Sequence, residues 1–238
     1  MAKKAARKAS KKAVRIQTGV PGMDQLIKGG FLEGSTNLIA GGSGAGKTIF
    51  CLHFLMEGLK RGEKCLFITL EESASDIMGD AAAFGWDMQK YVDSKQLYLE
   101  YMDPFDLTHM TKGIISDLKR YNVNRVVIDS TSAMGLYFKE PFEVRRQLMK
   151  VLTTLKASGA TTVVTAESPE NDGMTRFGVE EFVTDSVIVL KTFGMTGELG
   201  KSLMINKMRR TAHDVDVHPV KITEKGMKVM SSSRGIRL

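Results

Sequence analysis

Residues 41–48 read GGSGAGKT, a full match to the spacing G-x-x-x-x-G-K-[ST]. Glycines let the backbone curl so that successive N–H groups converge on an anion, and the N-terminus of a following helix adds positive potential. Both flanks have the required character. STNLIAG, residues 35–41, is a short apolar run that reads as a buried strand. TIFCLHFLMEGLKRG, residues 48–62, carries helical apolar periodicity and stops at Gly62. In that setting Ser43, Gly44, Ala45, Gly46, Lys47, Thr48 and Ile49 form a phosphate cradle. Lys47 is placed to reach the β- and γ-phosphates of a nucleotide, and the Thr48 hydroxyl to meet Mg²⁺.

Working outward, strands and helices alternate. KCLFITL (64–70) reads as a strand, 75–84 as a helix, QLYLEYM (96–102) as a strand and 107–121 as a helix. RVVIDS (125–130) is a strand, and helix 142–157 gathers Val144, Leu148, Val151 and Leu155 on one face. TTVVTAE (161–167) is a further strand. After it SVIVLKTF, KSLMINKMR and HPVKITEKGMKVM follow one another as strands. Alternation implies a parallel sheet built from crossover units, and consecutive strands imply antiparallel additions at one edge. The expected fold is α/β, a mostly parallel central sheet flanked by helices with antiparallel strands at the C-terminal edge. No internal repeat or compositional break divides residues 16–230, and the 15 methionines fall in apolar runs as core filling.

Two groups of carboxylates fall at strand ends. Asp129 closes the apolar strand VVID, where ligands bind in α/β sheets, and is expected to join Thr48 in holding Mg²⁺. Glu71 and Glu72 follow LFITL. If that strand neighbours the P-loop strand, they face the γ-phosphate and can orient or deprotonate water. The other reading makes them solvated caps of the helix that follows.

The net charge is +7, from 34 Lys and Arg against 27 Asp and Glu. Residues 1–15, MAKKAARKASKKAVR, hold seven of the basic residues and no acid, so the rest of the chain is balanced. Residues 1–15 are therefore expected as a basic flexible tail and 16–238 as one folded domain. The tail reads either as a self-repelling arm or as an electrostatic contact for nucleic acid or an acidic partner. No apolar run is long enough to span a membrane, and no secretory signal is evident. Cys51 and Cys65 lack metal-ligand spacing and read as buried free thiols, which fits a cytoplasmic setting.

The order of P-loop, LFITLEES, RVVIDS, TRFGVEEFVTD and KMRRTAH resembles the RecA superfamily ATPases, and within it the KaiC-like branch. The resemblance runs from Ile16 to the C-terminus and includes the lead-in TGVPGMDQLIKGGFLEG. It implies ATP or ADP and Mg²⁺ as ligands, a RecA-like P-loop core, slow hydrolysis with Glu71, Glu72 and Lys47 in the chemistry, and a hexameric ring with conformational output. In that branch a Lys-Leu-Arg-x-Thr-x-His segment reaches the nucleotide of the next subunit. Here Lys207, Arg209, Thr211 and His213 match it, and Met208 replaces Leu. A Thr-Asp pair associated with the base or ribose corresponds to Thr223-Glu224, also expected in trans, and the family's serine contact near Phe84 is Ala83. By residues alone, KMRRTAH also reads as a solvated strand end.

Two other functions compete. RecA relatives thread single-stranded DNA through a ring, but residues 167–185 hold six acids and one Arg, the wrong sign for a phosphate backbone. An autophosphorylating member of the branch carries a Ser-Thr pair about where Glu181-Phe182 stand, so this chain resembles the hydrolytic half.

Overall fold

The computed structural model describes residues 13–103, 107–136, 138, 140–169, 173–195 and 198–231. Residues 1–12, the greater part of the basic tail, lie outside the described residues. A two-stranded ribbon, β1 (Arg15–Ile16) with β2 (Phe31–Leu32), brackets the short helix α1 (Met23–Leu26). Arg15, assigned to the tail by sequence, is thus the first residue of a strand.

β3 (Thr36–Gly41) leads into the P-loop and α2 (Lys47–Lys60). Next come β4 (Cys65–Thr69), α3 (Ala74–Ala83), α4 (Gln89–Asp93), β5 (Leu97–Tyr101), α5 (Leu107–Tyr121) and β6 (Arg125–Asp129). A 3-10 turn (Thr131–Leu136), α6 (Pro141–Ser158), β7 (Thr161–Glu167), α7 (Glu180–Val183), β8 (Ser186–Met195), β9 (Glu198–Met208), β10 (Val217–Thr223) and β11 (Gly226–Val229) complete the order. Among the described residues nine strands form one sheet in the order β11-β10-β9-β8-β3-β7-β6-β4-β5. From β8 to β5 the neighbours run parallel, and from β8 to β11 they run antiparallel.

One expectation is corrected here. β4, the strand before Glu71, does not neighbour the P-loop strand. β7 and β6 lie between them, because β3 pairs with β7 and β4 with β6. Alternation of apolar residues assigns faces to strands and leaves their lateral order open.

The faces themselves follow the period of two. Ile39, Phe67, Val127, Val163 and Ile188 point to the side covered by α2 and α3. Leu38, Ile68, Val126, Val164 and Val187 point to the side covered by α5 and α6. Each such buried aliphatic or aromatic side chain contributes about 1.5–3 kcal/mol. All four apolar positions expected on α6 are buried.

Arg125 starts β6 and is only 1% exposed. Its Nε donates to Glu63 at 2.6 Å, and Nη1 to the carbonyls of Gln17 and Phe54 at 2.7 and 2.8 Å. The guanidinium also lies over the Phe54 ring at 4.7 Å. One buried cation therefore ties the lead-in segment and α2 to the sheet.

Candidate functional site

The P-loop leaves the C-terminal end of β3. Gly44 and Gly46 have φ of 69° and 104°, which L side chains rarely adopt. A Cβ on Gly46 would also stand 2.8 Å from Met227 Cε, so the β10–β11 hairpin packs directly on the loop. Lys47 opens α2, and its ammonium donates to the carbonyls of Gly41 and Gly42 at 2.9 and 3.0 Å. The cleft beyond holds about 220 Å³ and is lined by Ser43, Gly44, Lys47, Thr48, Glu71, Glu72, Asp129, Ser130 and Glu167.

The Thr48 hydroxyl donates to Asp129 Oδ2 at 2.8 Å, and the Thr165 hydroxyl donates to the other oxygen, fixing the carboxylate plane. Among the described residues no three His, Cys, Asp or Glu side chains converge into a metal cage. One hydroxyl beside one carboxylate is instead the sparse protein share that Mg²⁺ takes when phosphate oxygens and water supply the rest. The donor set fits that ion.

Glu71 and Glu72 reach this cleft despite the intervening strands. Thr69 pairs in register with Asp129, and Leu70 N–H donates to the Asp129 carbonyl at 2.9 Å. The turn that follows is stapled by Thr69, whose hydroxyl donates to Glu72 O at 2.8 Å and accepts from Glu72 N–H at 3.0 Å. The helix-capping alternative fails, because Ser73 and Asp76 form the capping box of α3. Partial burial against the cleft wall raises the Glu71 carboxyl, opposed by a 3.1 Å hydrogen bond from Ser130 and reinforced by Glu167 and Asp129. Glu72 is raised by burial and then by Asp129. A raised carboxylate is a better proton acceptor near neutrality.

Ser130, Glu167 and Lys201 were not singled out by sequence. Glu167 ends β7 as Asp129 ends β6, so the same strand-end reasoning points to it. Lys201, on β9, donates to the Gly44 carbonyl in the P-loop. Nothing in its local sequence distinguishes it from other strand lysines.

Thr223 and Glu224 lie at the tip of the β10–β11 hairpin and are exposed. Their neighbours Ile222 and Met227 abut Gly46 of the same chain. His53, on α2, anchors this hairpin: its Nε2 accepts from Met227 N–H at 2.8 Å, and Trp86 meets its ring edge-on with centroids 4.7 Å apart. Burial pulls the His53 pKa down to about 4, which keeps the ring a neutral acceptor. Ala83 is exposed at the end of α3.

Residues 207–213 lie elsewhere. Gly41, at the P-loop, pairs with Leu190, whereas Met208 pairs with Ser186, beside Asn37 at the start of β3. The segment is therefore at the opposite end of the sheet, about 13 Å along the strands from its own P-loop at ~3.3 Å per residue. The register also separates it from Thr223 and Glu224. Lys207 Nζ donates to the carbonyls of Glu181 and Thr184, each at 2.7 Å. Partial burial and the neighbouring Arg209 lower its pKa. Arg209 is half-exposed, with Nη1 3.7 Å from Asp185. Thr211 and His213 complete a turn in which His213 Nδ1 lies 2.8 Å from the Asp214 carbonyl.

Burial alone would raise the Asp185 carboxyl, but the Thr36 N–H at 3.0 Å and Lys156 at 2.9 Å outweigh it and hold the pKa low. Glu180 is 1% exposed, and burial raises its pKa. Two of the six acids counted in 167–185 are thus internal, so the acidity of that surface is less than its sequence suggests.

Fold and site together define a P-loop ATPase of the RecA superfamily. The family model described as "ATPase: KaiC" matches residues 16–234, and the chain belongs to that family. The circadian clock oscillator proteins KaiC of Parasynechococcus marenigrum and Synechococcus elongatus are each 35% identical over 227 residues, 90% of this chain and 44% of theirs. The chain thus spans less than half the length of these relatives. The crystal structure of a KaiC-like protein from the hyperthermophilic archaeon Pyrococcus horikoshii matches with a TM-score of 0.85 at 37% identity. That match covers 92% of this chain and 100% of the other. No helix among the described residues is long and apolar enough to cross a membrane, and both cysteines are free and buried.

Proposed function

We propose that this protein is a slow, Mg²⁺-dependent ATP hydrolase that works as a ring, with each active site shared by two subunits. The P-loop amides and Lys47 hold the phosphates; Thr48 and Asp129 would hold Mg²⁺, which would offset negative charge on the phosphates. Glu71 or Glu72 orients water and accepts its proton. Thr223, Glu224 and Lys201 serve the nucleotide of their own chain, since they lie beside its P-loop. Lys207, Met208, Arg209, Thr211 and His213 serve the neighbour's.

The observation that carries the shared site is the strand register, which sets residues 207–213 at the far end of the sheet from their own cleft. Charge supports it. The cleft is lined by four carboxylates and one lysine, an excess of negative charge for a site that takes a triphosphate. A cation from outside the subunit supplies what is missing, and stabilises charge spreading over the γ-phosphoryl oxygens during transfer.

A mixing experiment tests this. Lys47→Ala damages a subunit's own pocket and leaves its 207–213 segment intact; Arg209→Ala does the reverse. Each variant alone is expected to be nearly inactive. Mixed and allowed to exchange subunits, they form composite sites and activity returns. A mixture that exchanges but stays inactive, or full turnover by a monomer, refutes the shared site.

A further inference from the structure

Resting on the shared-site reading, we propose that Arg15 is a positioning residue for the 207–213 segment: it sets how that segment is presented to the neighbouring subunit's nucleotide. Arg15 stands far from the segment in sequence and touches it directly. Its Nη1 donates to Thr211 Oγ1 at 2.9 Å, and the same nitrogen reaches the carbonyls of Gly30 and Ile27 at 3.1 and 3.3 Å. These partners are neutral, so the guanidinium acts here through directed hydrogen bonds. A planar, permanently charged donor suits that task, since such bonds are about twice as strong as neutral ones.

The contact matters because of how the segment is built. Beyond the end of β9 the chain turns through Arg210, a non-glycine residue at φ 57°. One side of this turn is held by the Arg209 N–H, which donates to the Asp185 carbonyl at 3.0 Å. Its far end is held where Asp214 N–H donates to the Leu26 carbonyl at 2.9 Å and the Asp214 carboxylate meets His218 at 3.1 Å. Thr211 lies between, and its hydroxyl donates to the Arg209 carbonyl at 3.4 Å while accepting from Arg15. Arg15 thus orients the hydroxyl that closes the turn behind Arg209. Arg209 itself is half-exposed and bridged to Asp185 only at 3.7 Å, so its reach depends on this backbone.

The anchor also ties the lead-in to this end of the sheet. Gly30 and Ile27 belong to the lead-in between β1 and β2, and Asp214 bonds to Leu26 of the same stretch. Position of the β1 ribbon and presentation of the segment are therefore one structural variable.

The test extends the subunit-mixing assay. Arg15→Ala is expected to lower turnover about tenfold, the scale of one lost hydrogen bond to a charged group, with ATP affinity of its own intact pocket unchanged within about twofold. A residue that merely stabilises the fold lowers activity whatever the partner; a positioning residue shows partner dependence. Mixed with Lys47→Ala subunits, whose segments are intact, the rate per Arg15→Ala subunit rises several-fold. Mixed with Arg209→Ala subunits, whose segments are themselves damaged, it does not rise. Arg15→Lys, which keeps a donor but loses the fork, recovers part of the rate and serves in the same mixtures if the alanine variant does not fold.

Wild-type turnover by both Arg15 variants overturns the proposal, as does recovery with Arg209→Ala subunits. If the Lys47→Ala and Arg209→Ala pair recovers while Lys47→Ala with Arg15→Ala does not, the Arg15 assignment falls alone. If the reference pair exchanges subunits and stays dead, the shared site falls and the assignment falls with it.

Discussion

The two ends of the central sheet use carboxylates in opposite ways. At the P-loop end Glu71, Glu72, Asp129 and Glu167 crowd one cleft with a single lysine, and the Glu71 and Glu72 pKa values rise. At the other end Asp185 is buried between Lys156, Arg209 and Thr36, and its pKa falls. Carboxylates held above their ordinary range are poised for proton transfer, while one held below it is satisfied and structural. The same residue type is thus held above its ordinary range where charge is left uncompensated and below it where donors enclose it.

The largest test of that contrast is the double change Glu71→Gln with Glu72→Gln. Turnover is expected to fall about 10²–10⁴-fold, the usual worth of a positioned base, while nucleotide affinity and melting temperature stay close to wild type. Turnover equal to wild type removes both residues from the chemistry.

His53 gives the next effect, on stability. Its folded pKa of about 4 lies below the ordinary histidine value of 6.5, so the unfolded chain binds the extra proton first. Stability therefore rises with pH between about 4 and 6.5 and is lost as pH falls through that window, by on the order of 3 kcal/mol. Chemical denaturation at about pH 4 and about pH 6.5, the two ends of the window, checks it. In His53→Gln, whose side chain can still accept from Met227 N–H, the pH dependence flattens.

The smallest effect belongs to the opposite end. Asp185→Ala is expected to destabilise by about 2 kcal/mol, because the buried Thr36 N–H loses its acceptor. Nucleotide binding to the variant's own P-loop is expected to persist. A larger loss of binding than of stability would erase the distinction between the two ends.

Much of this was legible in the sequence, and the limits have physical causes. The P-loop was readable because backbone curvature and phosphate chemistry fix both residue types and their spacing. The helix over 142–157 was readable because one face had to be buried. The lateral place of β4 was not, since a strand's pattern reports its faces and not its neighbours. The register that separates residues 207–213 from Thr223 and Glu224 was hidden for the same reason. Nothing local marks Arg125, because only folding brings Glu63 and the two carbonyls around it. Lys201 and Arg15 act through contacts distant in sequence, to which local composition is blind.

Trp86 is the sole tryptophan of the chain. It lies edge-on to His53, the residue that pins the hairpin resting on the P-loop. The molecule therefore carries its own optical probe at the joint between hairpin and helix. Any shift of the hairpin when the loop is occupied changes the surroundings of one indole, and its emission records that shift without an added label.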